Sequence, residues 1–176
     1  DSYFMGVQYN RSTVLYSDQL SDQNPDMSVD NCVFFRTDNN GVRVRQNNVA
    51  ITNNKFFNCT GSDTMLLELG SGYVASNNQF TSCVRVNSSA SDATYTGNTL
   101  IDTQWLNSGG TNVNFTGGSI HFTTAASDVY AGDTYCFQIG GGTAVAVTGL
   151  QVDNDEANSA DQPDRGIAVT AGAEIS

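Results

Sequence analysis

Residues 51–59 of the chain read Ile-Thr-Asn-Asn-Lys-Phe-Phe-Asn-Cys, and residues 75–83 repeat the frame as Ala-Ser-Asn-Asn-Gln-Phe-Thr-Ser-Cys. Looser copies occupy residues 29–37, 95–103 and 115–123, and further copies begin at positions 147 and 175. The step between the first positions of successive copies is near 22 residues and is lengthened by two insertions. A period of this size is typical of solenoid proteins, in which each repeat stacks on the next.

Each period contains short runs in which every second residue is a large apolar one. They are residues 42–44 (Val-Arg-Val), 67–69 (Leu-Glu-Leu), 84–86 (Val-Arg-Val) and 145–147 (Val-Ala-Val). Alternation with a period of two predicts strands that bury one face. Glycine and asparagine pairs separate these runs, as bends require residues that tolerate left-handed dihedral angles. The sequence therefore predicts three short strands per turn, and it lacks the leucine spacing of leucine-rich repeats.

Composition narrows the possible partners. The 176 residues include 7 Lys and Arg against 18 Asp and Glu, which gives a net charge of −11. This charge repels phosphate backbones and anionic lipid headgroups, so we expect no nucleic-acid partner and no membrane insertion. Ample apolar residues and few charged ones exclude a disordered chain. The length suits one domain, and the abrupt ends suggest a segment of a longer protein.

The frame Ile-Thr-Asn-Asn-x-Phe-x-x-Cys resembles the turn of right-handed parallel β-helices, the pectin-lyase-like group that includes pectate lyases, polygalacturonases and phage tailspikes. The resemblance covers residues 27–176 and is specific for the fold, whereas the chemistry differs among these families. We expect an all-β, right-handed, single-stranded parallel β-helix of about seven coils. Residues 1–26 would form a partial or irregular first coil, and insertions would fall at residues 124–134 and 154–165.

The resemblance also implies an asparagine ladder at one bend, where stacked amides about 4.8 Å apart bond to each other along the axis. Its expected column is Asn31, Asn53, Asn77, Gly97, Gly117 and Gly149. Projection of the repeat gives a first inward column of Phe34, Phe56, Phe80, Leu100 and Ile120. A second inward column contains Thr37, Cys59, Cys83, Thr103 and Thr123.

The second inward column places Cys59 and Cys83 on adjacent coils, close enough for a disulfide. We nevertheless expect all four cysteines, Cys32, Cys59, Cys83 and Cys136, to be free thiols, because stacked coils need no covalent staple.

One outward column is unusually apolar. It contains Phe35, Phe57, Thr81, Ile101 and His121. Exposed apolar side chains at one lateral position suggest an interface, and phage tailspikes, which the chain resembles, are parallel trimers. We therefore expect a homotrimer that packs through Phe35, Phe57 and Ile101, with an error in the assigned register as the alternative.

A second outward strip is a candidate carbohydrate-binding site. It comprises Arg43, Glu68, Arg85, Trp105 and Gln138. An aromatic ring packs on the C–H groups of a sugar, and planar guanidinium groups bind hydroxyls or acidic sugars. The alternative is a ladder of surface salt bridges that contributes little to stability.

Catalysis would need two carboxylates at a suitable separation. Glu68 and Asp63 are the catalytic candidates, and the sequence offers no cluster of Asp with Arg or His of the kind that the enzymes of this architecture display. No cofactor is expected. Calcium could bind the acidic loop through Asp153, Asp155 and Glu156, although a solvated acidic loop is favoured because the EF-hand spacing is absent.

The sequence favours a segment of a phage tailspike or fibre, on the virion tail or otherwise extracellular, that binds host cell-surface polysaccharide. A polysaccharide depolymerase of the same fold, hydrolase or lyase, is the first alternative. A structural adhesin passenger is the second. The missing carboxylate cluster favours binding over cleavage, and the apolar column favours an oligomer over the adhesin.

Overall fold

The computed structural model describes residues 2–5, 15–17, 26–37, 40–61, 63–123, 135–154 and 165–169. Within these residues the chain contains strands and no helix, and the strands pair in parallel in three stacked sheets. The predicted all-β parallel solenoid is confirmed. No helix of the described part is long and apolar enough to cross a membrane.

Strands are numbered in chain order. Sheet A contains β1 (Ser2–Met5), β4 (Cys32–Phe35), β7 (Lys55–Phe57), β10 (Gln79–Thr81), β13 (Thr99–Ile101), β16 (Ser119–Phe122) and β19 (Gln151–Asn154). Sheet B contains β2 (Leu15–Ser17), β5 (Val42–Val44), β8 (Met65–Leu67), β11 (Arg85–Ser88), β14 (Gln104–Asn107), β17 (Tyr135–Ile139) and β20 (Arg165–Val169). Sheet C contains β3 (Met27–Asp30), β6 (Val49–Thr52), β9 (Val74–Ser76), β12 (Ala93–Thr96), β15 (Thr111–Thr116) and β18 (Thr143–Thr148).

Each turn passes from sheet C to sheet A and then to sheet B. About four turns follow one another between residues 27 and 110, so the expectation of about seven coils was too high. The turns before and after them include residues outside the described part, and these cover most of both predicted insertions. Strands β1 and β2 extend sheets A and B by pairing with β4 and β5.

The three corners differ in length. The corner from sheet C to sheet A contains one or two residues in every turn, whereas the corner from sheet A to sheet B ranges from two residues to twelve. The C–A corner is fixed by a backbone residue in the left-handed region, with φ between 52° and 68°. The residues in this conformation are Asn31, Asn53, Asn77, Gly97, Gly117 and Gly149. Asparagine and glycine adopt it at low cost, which explains their place in the repeat.

The buried amide ladder lies one residue further along the chain than predicted. Asn31, Asn53 and Asn77 are exposed, and their role is to turn the backbone. The ladder is formed by Asn54, Asn78 and Asn98, which are all buried. Nδ2 of Asn54 donates to Oδ1 of Asn78 at 3.0 Å, and Nδ2 of Asn78 donates to Oδ1 of Asn98 at 3.1 Å.

The core is filled by columns of stacked side chains. The register of sheet A confirms the first predicted inward column, in which the Phe34 and Phe56 ring centroids lie 4.5 Å apart and those of Phe56 and Phe80 4.6 Å apart. Leu100 and Ile120 continue the column and are buried. Complete burial of such a side chain contributes about 1.5–3 kcal/mol to folding, so each residue of the column stabilises the solenoid.

Candidate functional site

Sheet B presents one column of outward side chains, which is set by the register of its strands. The column contains Arg43, Leu66, Asn87, Leu106 and Gln138, all partly exposed. Arg43 and Gln138 therefore both lie on this face, as predicted, at the two ends of the column. The predicted placement of Glu68, Arg85 and Trp105 in the same column is wrong, for a different reason in each case.

Glu68 lies in the bend after strand β8, which ends at Leu67. The next residue, Leu69, has a φ of 57° and is 65% exposed, so the alternation assumed across residues 67–69 fails where the backbone turns. From this bend, Oε2 of Glu68 accepts hydrogen bonds from Nε of Arg43 at 3.0 Å and from Nε of Arg45 at 2.8 Å. The predicted contact between Arg43 and Glu68 is thus present, although Glu68 is not on the strand.

Arg45 was missed by the sequence analysis. It follows Val44 in the run Val-Arg-Val-Arg, so a second outward arginine two residues after Arg43 was the available signal. Burial alone would raise the pKa of Glu68, but the hydrogen bonds and charges of Arg45 and Arg43 outweigh this effect and lower the pKa below its ordinary value. The three side chains form a charged cluster, the arginine cluster, with a fixed carboxylate between two guanidinium groups.

Arg85 belongs to a separate ion pair at the A–B corner. It begins strand β11 and pairs in register with Gln104, and its Nε lies 2.7 Å from Oδ1 of Asp63. Asp63 and Glu68 stand on opposite sides of strand β8, five residues apart, which corresponds to about 16 Å of extended chain. Asp63 is paired with Arg85, whereas Glu68 is paired with Arg43 and Arg45, so the two catalytic candidates belong to separate ion pairs.

Trp105 faces the core and is 3% exposed. It pairs in register with Val86 and Phe137, and its Nε1 donates to Oγ of Ser88 at 3.2 Å. Its ring packs edge-on against Tyr95, with centroids 5.1 Å apart. The prediction of Trp105 as an exposed sugar platform is therefore wrong.

The prediction for Trp105 failed because strand β14 buries polar residues and partly exposes an apolar one. Gln104 and Asn107 are buried, whereas Leu106 is partly exposed, so polarity does not report the buried face. The interior position of Asn107 is satisfied because it accepts a hydrogen bond from Oγ of Ser88 and donates to the carbonyl oxygen of Gly141.

A groove of about 450 Å³ follows the corner between sheets B and C. Leu69 forms one end, next to Glu68 of the arginine cluster. Serine and threonine residues line the groove, with glycines between them. The lining residues are Leu69, Gly70, Ser89, Ser91, Gly110, Thr111, Gly142 and Thr143. Nothing in the sequence marks this groove, since glycine and serine at a bend have a sufficient structural explanation.

The outer face of sheet A carries the apolar column as predicted. Phe35 and Phe57 are in register with each other and with Ile101 further along the sheet, and all three are partly exposed. The guanidinium carbon of Arg36 lies 5.1 Å from the ring centroid of Phe35, so one edge of the face is polar. The alternative of a register error is excluded by the observed pairing.

The four cysteines are free, which confirms the prediction. Burial raises the pKa of the Cys83 thiol well above its ordinary value and that of Cys136 to about 12. Among the described residues no group of three or more His, Cys, Asp or Glu side chains could hold a metal ion. Asp153 is exposed on strand β19, and the other two proposed calcium ligands, Asp155 and Glu156, lie outside the described residues.

The chain matches no family model, no curated protein and no solved structure. A function assigned to it therefore rests on the geometry of its own residues.

Proposed function

We propose that this chain is a rigid β-helical segment of a phage tailspike or fibre and that it binds host cell-surface polysaccharide. The observation that carries the proposal is the groove at the B–C corner, whose lining residue Leu69 directly follows Glu68 of the arginine cluster. A concave surface with a few placed polar groups is the usual form of a ligand site. The groove lies on a stack of hydrogen-bonded sheets, which holds its shape before the ligand arrives.

The dimensions of the groove suit an extended polymer. Its lining comes from four successive turns, and neighbouring strands lie about 4.8 Å apart, so it runs about 14 Å along the axis. This length corresponds to roughly two to three sugar rings of a linear glycan, which is a common scale of recognition. Hydroxyls of Ser89, Ser91 and Thr111 would exchange hydrogen bonds with sugar hydroxyls, and the exposed Leu69 would pack on C–H groups.

The arginine cluster would orient the chain at its end of the groove. The side chains of Arg43 and Arg45 are 30% and 29% exposed, and the carboxylate of Glu68 restricts both guanidinium groups. A restricted planar donor loses less entropy on binding than a free one, which favours recognition of hydroxyls or acidic groups. The lowered pKa of Glu68 supports a fixed anion rather than a general acid, so this site favours binding over cleavage.

The test uses two substitutions on one strand. Thr111→Tyr places a ring in the groove, whereas Thr116→Tyr changes an exposed threonine at the other end of β15, away from the groove. A glycan array identifies a ligand for the unaltered chain, and titration then measures each variant. We expect Thr111→Tyr to weaken binding about tenfold or more, or about 1.4 kcal/mol, and Thr116→Tyr to leave it unchanged. Equal affinities would place the site elsewhere.

A reducing-end assay on the same glycan separates binding from depolymerisation. Binding without new reducing ends supports the module proposed here. Cleavage that Glu68→Gln abolishes, with binding retained, would instead establish a depolymerase at the arginine cluster.

The assembly that we propose is a homotrimer packed through the outer face of sheet A. Burial of Phe57 and Ile101 between subunits would contribute about 1.5–3 kcal/mol each when complete. Light scattering should give a trimer mass for the unaltered chain and a lower mass for the Phe57→Ser, Ile101→Ser double variant. Thr81→Ser, which lies between them in the same column, is the control. A monomer at micromolar concentration would contradict the assembly and leave the groove proposal intact.

A further inference from the structure

The amide ladder ends at Asn98, because the corresponding residue of the next turn is Gly118. In the two preceding steps, Oδ1 of one asparagine accepts both the backbone N–H and a side-chain N–H of the asparagine before it. These bonds are 3.0 Å and 3.0 Å long from Asn54 to Asn78, and 3.0 Å and 3.1 Å long from Asn78 to Asn98. Asn98 has no such oxygen to donate to.

Two N–H groups of Asn98 are therefore left over. One hydrogen on Nδ2 binds the carbonyl oxygen of Ala75 at 2.8 Å. The backbone N–H and the second hydrogen on Nδ2 have no acceptor among the described residues. Asn98 is 4% exposed, so bulk water does not satisfy these donors, and a buried donor without a partner costs about 1–3 kcal/mol.

No side chain at position 118 can supply the oxygen. Gly118 has a φ of 86°, and a Cβ atom at this position would collide with the backbone carbonyl oxygen of Asn98. The local backbone thus requires glycine at the point where the ladder would continue.

A small cavity lies at the same place. Its volume is about 10 Å³, and its lining includes Tyr95, Asn98, Gly117 and Leu150. This is roughly the volume that one water molecule needs inside a protein, about 10–15 Å³. Asn98 is the polar side chain of a lining that otherwise contains Tyr95, Gly117 and apolar side chains, so a polar molecule bound there would be held through the donors of Asn98.

The carbonyl oxygens that accept hydrogen bonds from the ladder form a series, and this series identifies one more polar group at the cavity. Nδ2 of Asn54 donates to the carbonyl oxygen of Val29 at 2.9 Å, and Nδ2 of Asn78 donates to that of Ile51 at 2.8 Å. With Ala75 as the acceptor for Asn98, the next carbonyl in the series is that of Tyr95, which lines the cavity.

We infer that one water molecule binds at this end of the ladder and takes the place of the missing amide. Its oxygen accepts the backbone N–H and the second Nδ2 hydrogen of Asn98, and one of its hydrogens is donated to the carbonyl oxygen of Tyr95. Three hydrogen bonds are the usual number for a buried water molecule. The water satisfies both leftover donors, so the ladder ends without an unpaired buried group.

The test needs no substitution. In a heteronuclear NMR experiment that detects transfer from water to amides, the backbone N–H of Asn98 should show a cross-peak of the sign given by a long-lived water. The backbone N–H of Asn78 is the internal control, because it occupies the same place one turn earlier and donates to Oδ1 of Asn98 instead. A high-resolution crystal structure should show one water oxygen within hydrogen-bond distance of both Asn98 donors. Absence of the cross-peak together with a cavity that lacks solvent density would overturn the inference.

Discussion

The ionisation of Glu68 makes the stability contributed by the arginine cluster depend on pH. Its pKa in the folded chain is lowered below its ordinary value by the hydrogen bonds and charges of Arg45 and Arg43. A lowered folded-state pKa contributes stability that is fully present above the unfolded-state pKa and is lost as the pH falls through the folded-state pKa.

We therefore predict that Glu68→Gln lowers the free energy of unfolding by about 0.5–1 kcal/mol at neutral pH, where the carboxylate joins two partly exposed arginines. The difference from the unaltered chain should shrink steadily below about pH 4.3. Urea unfolding at a series of pH values measures it. Arg43→Gln combined with Glu68→Gln is the control, since the loss of both partners should cost less than the sum of the single losses. A difference that stays constant with pH contradicts the prediction.

Prediction from the sequence succeeded for residues whose environment repeats from turn to turn. The column from Phe34 to Ile120 and the outward Phe35 and Phe57 follow from the frame alone, since stacking in register carries one assignment to every turn. The predictions for Trp105 and Glu68 were wrong because each residue lies where its turn departs from the repeated pattern. Trp105 sits in a strand whose interior includes Gln104 and Asn107, and Glu68 sits beyond a strand end that polarity does not reveal.

At the scale of the element, two adjacent asparagines in the C–A corner have different roles. The first asparagine, such as Asn77, turns the backbone with a positive φ and is exposed, and the second, Asn78, is buried and bonds to both neighbouring turns. The sequence shows the pair clearly but does not say which member faces inward. The resemblance to known β-helices led to the first, and the hydrogen bonds identify the second.

The two roles predict opposite responses to substitution. Asn77→Gly should change the free energy of unfolding by at most about 0.5 kcal/mol, because glycine adopts the same backbone conformation. Asn78→Ala should lower the free energy of unfolding by about 2–4 kcal/mol, because it removes the acceptor of two Asn54 N–H groups and one donor to the carbonyl oxygen of Ile51. Chemical denaturation of both variants checks the pair. Similar losses for the two would show that the ladder is not the stabilising part of the corner.

At the scale of the whole molecule, each turn contacts mainly its two neighbours, so stability should be close to a sum over turns and their interfaces. Deletion of residues 75–94 removes one complete turn and joins Val74 to Tyr95 in sheet C. The new neighbours remain compatible, since Asn54 meets Asn98 and Phe56 meets Leu100 in the same columns.

We predict that this shortened chain folds cooperatively, with a strand-type circular dichroism spectrum and a smaller dependence of unfolding free energy on urea, in proportion to the lost surface. The control is deletion of residues 75–84, about half a turn, which places the sheet B residues of β11 where sheet C should be. That chain should not fold. Failure of the full-turn deletion, with success of the half-turn deletion, would contradict a solenoid built from equivalent turns.

The unequal corners have a consequence for engineering. The C–A corner keeps a nearly constant length, whereas the A–B corner contains from two to twelve residues. Differences in length between turns therefore occur mainly along the edge formed by the A–B corners. A foreign peptide grafted between β7 and β8, where seven residues already connect the strands, would project from that edge while the amide ladder on another edge keeps its spacing. Grafts in successive A–B corners would stand about 4.8 Å apart in a single file, so the chain can serve as a ruler on which peptides are displayed at a fixed molecular interval.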